Sequence, residues 1–167
     1  RIDTDSEEHR TLFRAFFSAE DMHGQLPPEM FEGMFRAQCT WDGAMAPLLE
    51  SLLVQWWQQT YASPAAGVFK ILVAEMRNFP EIAEYYVQQV IEPGSALIGG
   101  IIARGIASGE FRAVDVESTV HSLVLPMVML CVHKHGLSAC TQHQIDGQRF
   151  IAEHVDLVVH GLRRSAA

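Results

Sequence analysis

Apolar residues in this chain recur at helical spacing, and the runs between them carry helix caps and prolines. Alternating β-branched stretches bounded by turn residues are missing, so the pattern predicts an all-α fold. Ser18 with Asp21 can cap a short helix, which Pro27-Pro28 stops by removing two donors. Pro28 is placed to open the helix PEMFEGMFRAQC, and a further one runs from Ala46 to Tyr61 through Leu48, Leu49, Leu52, Leu53, Trp56 and Trp57. Ser63-Pro64 opens the next, which ends at Asn78-Phe79. Pro80 opens a long helix that Pro93 should bend, with glycines at 94, 99, 100 and 105 thinning one side for a close neighbour. After a turn at Gly109, Asp115 caps a helix to about Lys134, and Asp146 caps the last, to about Arg163. In the last helix Ile151, Val155, Val158 and Leu162 form one stripe, which Phe150, Leu157 and Val159 widen.

Composition sharpens that picture. The 167 residues are 49% hydrophobic and only 19% charged, so some apolar surface should be covered by a partner or a ligand. A net charge of −8 argues against nucleic-acid binding by this piece, because phosphate contacts need cations. Three cysteines without a CxxC pair suit a reducing cytoplasm. The longest apolar run, Leu123–Val132, is far shorter than the roughly 20 residues of a membrane span, so no membrane partner is expected.

Catalytic signatures are missing: there is no G-x-S-x-G, no HExxH and no phosphate-cradling glycine loop, and the expectation is a protein that is not an enzyme and needs no cofactor. Cys131, His133, His135, Cys140 and His143 crowd one segment and are all potential soft-metal ligands, but their spacing follows no standard zinc pattern. A metal-dependent helical protein built on them is an alternative to a protein with no metal site. His121, on an otherwise apolar helix, reads as a core or interface histidine that could also orient a ligand.

Glu75-x-x-x-Phe79-Pro80-Glu81, the long helix after it, then Gly109-Glu110-Phe111-Arg112 and Asp115 together resemble the regulatory domain of TetR-family transcriptional repressors. The resemblance covers about 46–164 and is best over 68–115. A second one lies upstream, where Thr11-Leu12-Phe13-Arg14-Ala15-Phe16-Phe17-Ser18-Ala19-Glu20-Asp21 looks like the end of the family's recognition helix, with Ala19 in place of its usual lysine. Only ten residues precede Thr11, and a recognition helix needs the two helices before it to sit in a groove.

The resemblance implies three regions: 1–23 as a remnant or end of the DNA-binding head, 24–45 as an irregular link, and 46–167 as a ligand-binding and dimerisation domain. Thr11, Phe13 and Phe17 would lie on or beside the DNA-facing helix, and operator DNA would be a partner only of an intact head. Trp56, Trp57, Phe69, Met76, Phe79, Tyr86, His121, Met127 and Met129 become candidates for a pocket taking a small apolar or mixed aromatic ligand, although aromatic residues at helical spacing also simply fill cores. The last two helices would pair with a second copy as a four-helix bundle in a homodimer, through Val120, Leu123, Ile151, Val155, Val158 and Leu162. The implied function is a cytoplasmic, ligand-responsive repressor; the alternative within the same fold is an interaction module without a ligand.

Overall fold

A computed structural model describes residues 28–62, 65–75, 77–136 and 145–164. All regular structure in them is helical: α1 (Pro28–Thr40), α2 (Met45–Tyr61), α3 (Ala65–Glu75), α4 (Pro80–Tyr86), α5 (Glu92–Ala107), α6 (Val116–His135) and α7 (Gly147–Leu162). The expected openings at Pro28, Pro80, Asp115 and Asp146 all fall where the chain turns helical. The stretch 24–45, expected as an irregular link, thus contains the regular helix α1. The caps proposed at Ser18 and Ser63 lie outside the described residues.

Each remaining start has its own physical cause. The Asp115 carboxylate accepts the Ser118 N–H at 2.8 Å, and hydrogen bonding from the Ser118 side chain and then from that N–H holds its acid below the usual carboxylate range. Asp146 accepts from the backbone N–H groups of Gln148 and Arg149 at 3.0 and 3.1 Å. These bonds answer donors that a helix leaves free in its first turn. Between α4 and α5 the chain does not break. It widens into one π-helical turn, Val87–Ile91, in which the Glu92 N–H reaches back to the Val87 carbonyl. Pro93 explains the widening: it has no N–H for the Gln89 carbonyl and its ring would crowd that oxygen. Pro126, inside α6, leaves that helix unbroken.

The Gly109-Glu110-Phe111-Arg112 segment joins three helix ends. Gly109 takes a positive φ of 79°, which a residue without a Cβ adopts at no steric cost. Phe111 then turns inward, buried against α5 so closely that a Cβ on Gly105 would stand 2.2 Å from its ring. Its N–H bonds the Gly105 carbonyl at 2.9 Å, the Arg112 N–H bonds the Leu162 carbonyl at 2.9 Å, and the Arg164 N–H bonds the Glu110 carbonyl at 3.1 Å. Glu110 meanwhile caps α2 from a distance: its carboxylate accepts the N–H groups of Met45 and Ala46 at 2.6 and 2.9 Å, where Ala44 supplies no side-chain cap. Glu110→Ala should therefore destabilise the chain by about 1–3 kcal/mol, since two charge-assisted bonds go at once. Urea denaturation checks this, and an unchanged midpoint would show that water caps α2 equally well.

The core lies where α2, α5, α6 and α7 meet. α2 packs on α3, α5 and α7, α5 packs on α1 and α6, and α6 packs on α3 and α7. α1 is tied to this body by Arg104, whose guanidinium donates to the carbonyls of Gln38 and Trp41 at the end of α1. Two stretches, Ala83–Ala107 and Val116–His135, are long and apolar enough to cross a membrane by length and composition. The sequence argument from an unbroken run missed this, because isolated polar residues interrupt a run without making a helix polar overall.

Candidate functional site

The spacing of α2 brings Trp56, Trp57 and Tyr61 onto its C-terminal turns, where they meet side chains of α3, α6 and α7. From there two ring systems extend. In one, Trp56 meets Phe69 edge-on at 6.3 Å, and Phe69 meets Tyr86 edge-on at 6.2 Å. In the other, Trp57 stacks on Tyr61 at 4.3 Å and lies 6.5 Å from Phe150, which stacks in turn on His154 at 5.6 Å. Offset and edge-on contacts of this kind are what the ring quadrupole favours. From α6, Met127 and Cys131 are both fully buried in the same core.

The polar atoms of this interior are few and neutral. Burial pushes the Tyr86 hydroxyl well above its ordinary range, and burial likewise raises the Cys131 thiol to about 11; the nearby thiol adds to the rise at Tyr86. Tyr61 is raised too, by burial, then by Cys131 and Asp146. The indole Nε1 of Trp57 is buried and has no hydrogen-bond partner. Lys134 sits at the margin, its ammonium 4.1 Å from the centre of the Tyr61 ring and donating to the Tyr61 carbonyl at 2.5 Å. That contact ties the end of α2 to the end of α6. A thiol raised to about 11 stays protonated near neutrality, so Cys131 should resist alkylation in the native chain at pH 8 while exposed Cys39 reacts. Peptide mapping after iodoacetamide reads this directly, and prompt modification of Cys131 would mean that α6 opens readily.

Of the expected pocket residues, Trp57, Phe69, Phe79, Tyr86 and Met127 are buried and Trp56 is half-buried. Met76 lies outside the described residues. His121 and Met129 are exposed, Met129 by 58%. The inward stripe of α6 is Val120, Leu123, Met127, Leu130 and Cys131, and helical spacing turns 121 and 129 away from it. The interior instead includes Tyr61, Cys131 and Phe150. For Tyr61 the signal was available, since it stands one turn beyond Trp57 on the same face.

The residues expected at a dimer surface lie mostly inside this chain. Val120, Leu123, Ile151, Val155 and Leu162 are buried in the chain's own core and Val158 is half-buried. A side chain already enclosed by its own chain has no surface left for a second copy. The apolar side chains that α6 and α7 do expose are Leu125 (60%), Met129 (58%) and Leu157 (72%). On α6, Ser118, Ser122, Leu125 and Met129 follow helical spacing along the face opposite the core.

Among the described residues no three His, Cys, Asp or Glu side chains stand close enough to share a metal ion. Cys131 points inward, while His135 is exposed with its basicity lowered by burial, then by Lys134 and Lys70. Cys140 and His143 lie outside the described residues, as do Thr11, Phe13 and Phe17.

No curated protein matches the chain, and no solved structure does. A family model described as "Tetracyclin repressor-like, C-terminal domain" matches residues 48–146, from the first turn of α2 to the cap of α7. That span takes in α2 to α6, the Gly109–Arg112 lock and most of the aromatic interior, and it is more than half of the chain: the protein belongs to the tetracycline repressor-like C-terminal domain family.

Proposed function

We propose that residues 46–167 sense a small molecule and hold two copies of the chain together, as the regulatory part of a ligand-responsive repressor. The family is one of regulatory rather than catalytic domains. The observation that carries the sensing reading is the aromatic interior with its unpartnered Trp57 N–H, because buried polar groups in a finished core are nearly always paired. Such an interior suits an apolar or mixed aromatic ligand: large faces for dispersion and a few polar tips for orientation.

Dimerisation in this reading uses the outward faces of α6 and α7, with Leu125, Met129 and Leu157 at its centre. Exposed large apolar side chains on two packed helices are what a cover would bury, and a two-fold copy offers the same side chains in return. A second copy, not a lipid bilayer, is the proposed cover, and the cytoplasm the proposed compartment. Residues 1–23 would then belong to a DNA-binding head and 24–45 to the link between the two. Ligand could act on such a head only by binding one dimer arrangement more tightly than the other, and couplings of about 1–3 kcal/mol are typical. The Lys134–Tyr61 contact offers a mechanical route from the rings to α6.

A thermal-denaturation screen of small aromatic compounds tests the sensing half. A true ligand at a hundred times its Kd should stabilise the chain by about 2.7 kcal/mol, and Trp57→Ala should abolish the gain. A broad screen without a single stabilising compound would leave these rings as core and favour a module that only assembles.

A further inference from the structure

We infer that the surface corner where α3 meets the end of α6 binds a phosphate dianion, carried by a small soluble phosphomonoester. This site is separate from the aromatic interior and stands whether or not that interior senses a ligand. The chain has two lysines, Lys70 and Lys134, and the packing of α3 on α6 brings both to this corner. Lys70 and His135 cross between the two helices. A Cβ on Gly136 would stand 3.9 Å from Cδ of Lys70, and one on Gly67 would stand 3.7 Å from Nδ1 of His135. Each side chain thus rests on a glycine of the other's segment, which sets the ammonium and the imidazole side by side, both exposed. Burial, then Lys134, then Lys70 lower the basicity of His135, so both ammonium groups bear on that ring.

The stretches that build the corner hold no acid. Residues 51–74 and 118–145 contain no Asp, Glu or Arg, in a chain with 20 acidic residues. Among the described residues no carboxylate pairs with Lys70 or His135. Asp146, the first acid after the second stretch, is engaged in capping α7. Tyr61, from α2, meets Lys134 through its ring and carbonyl, and His133 adds a further imidazole on the last turn of α6. Like charges gathered without a counter-ion repel one another, and a bound dianion removes that cost. Ammonium and imidazolium groups are separate donors that reach a tetrahedral oxyanion from different sides. The fork that an arginine offers a planar carboxylate is missing from both stretches. The negative end of α6 favours nearby cations with or without an anion, so the test has to separate the two.

NMR follows the titration of the His135 ring in the full chain, its signals assigned with His135→Gln, and methyl phosphate is the probe. Against sodium chloride of equal ionic strength, saturating methyl phosphate should raise the His135 midpoint by about half a pH unit or more, because the dianion favours the imidazolium. Dimethyl phosphate, a monoanion like the diesters of nucleic acids and phospholipids, should bind roughly tenfold more weakly. Lys70→Gln should raise the midpoint with no phosphate present, since one repelling charge is gone, and should remove most of the response to methyl phosphate. Lys70→Arg should keep that response. A midpoint no higher in methyl phosphate than in chloride, an equal response to dimethyl phosphate, or a full response in Lys70→Gln would overturn the inference and leave cations that only answer the end of α6.

Discussion

If the chain pairs through α6 and α7 as proposed, Leu125→Asp combined with Met129→Asp should leave a folded monomer. Both side chains lie on the outward face of α6, exposed by 60% and 58%, so the chain's own core has no use for them. Burying each such side chain in an interface is worth about 1.5–3 kcal/mol, and a two-fold axis counts each substitution twice. The new carboxylates would also face their own copies across the axis, with no cation supplied for them. A loss of about 4 kcal/mol already weakens association roughly a thousandfold, and the double variant should exceed that. Helix content should stay as it was. Val155→Glu is the contrast: Val155 is 4% exposed in the intrachain core, so that change should unfold the chain rather than split a dimer. Sedimentation velocity in detergent-free buffer, with circular dichroism beside it, separates the two effects. A double variant that still sediments as a dimer would move the interface away from α6.

Gly105→Ala should destabilise, against the ordinary trend for glycine in a helix. At an open helical position the exchange gains about 1 kcal/mol. Here a Cβ would stand 2.2 Å from Cδ2 and 2.5 Å from Cε2 of Phe111. The ring cannot step aside cheaply: Phe111 is 2% exposed, and its N–H is bonded to the Gly105 carbonyl itself. Overpacking of this kind typically costs about 1–3 kcal/mol, which at this chain length lowers Tm by some 2–4 °C for each kcal/mol. Adding Phe111→Leu should recover part of the loss, because the smaller side chain leaves room for the methyl group. A rise in Tm for Gly105→Ala alone would show that α5 and the Phe111 turn are not locked together.

The helix starts were legible because their causes are local. A proline at the first position or an aspartate before the first turn is written in the sequence beside the helix it opens, as at Pro28, Pro80, Asp115 and Asp146. The cap of α2 was not legible, since its acid, Glu110, comes from 64 residues away and only the fold brings it there. The same limit governs the faces of α6. α6 is apolar on several sides, and periodicity alone cannot say which of its stripes meets the chain's own core, whereas α7 has one strong apolar stripe. The most regular stripe, with Ile151, Val155 and Leu162, turned inward, as a strong stripe usually does. The apolar side chains left exposed are instead the irregular remainder, Leu125, Met129 and Leu157. Among the aromatic residues that composition and spacing singled out, Trp56, Phe69 and Tyr86 meet in one set of rings and Trp57 lies in another, with Tyr61 and Phe150. That the Trp57 N–H lacks a partner could not have been read from them, because an unpaired atom is a property of everything around it.

Native mass spectrometry of the purified chain, before and after gentle activation, tests the central claim most directly. The account predicts a dimer from which activation releases a neutral organic molecule of a few hundred daltons, or which takes one up from the aromatic compounds that stabilise it. A monomer at micromolar concentration that neither carries nor accepts such a molecule would contradict it.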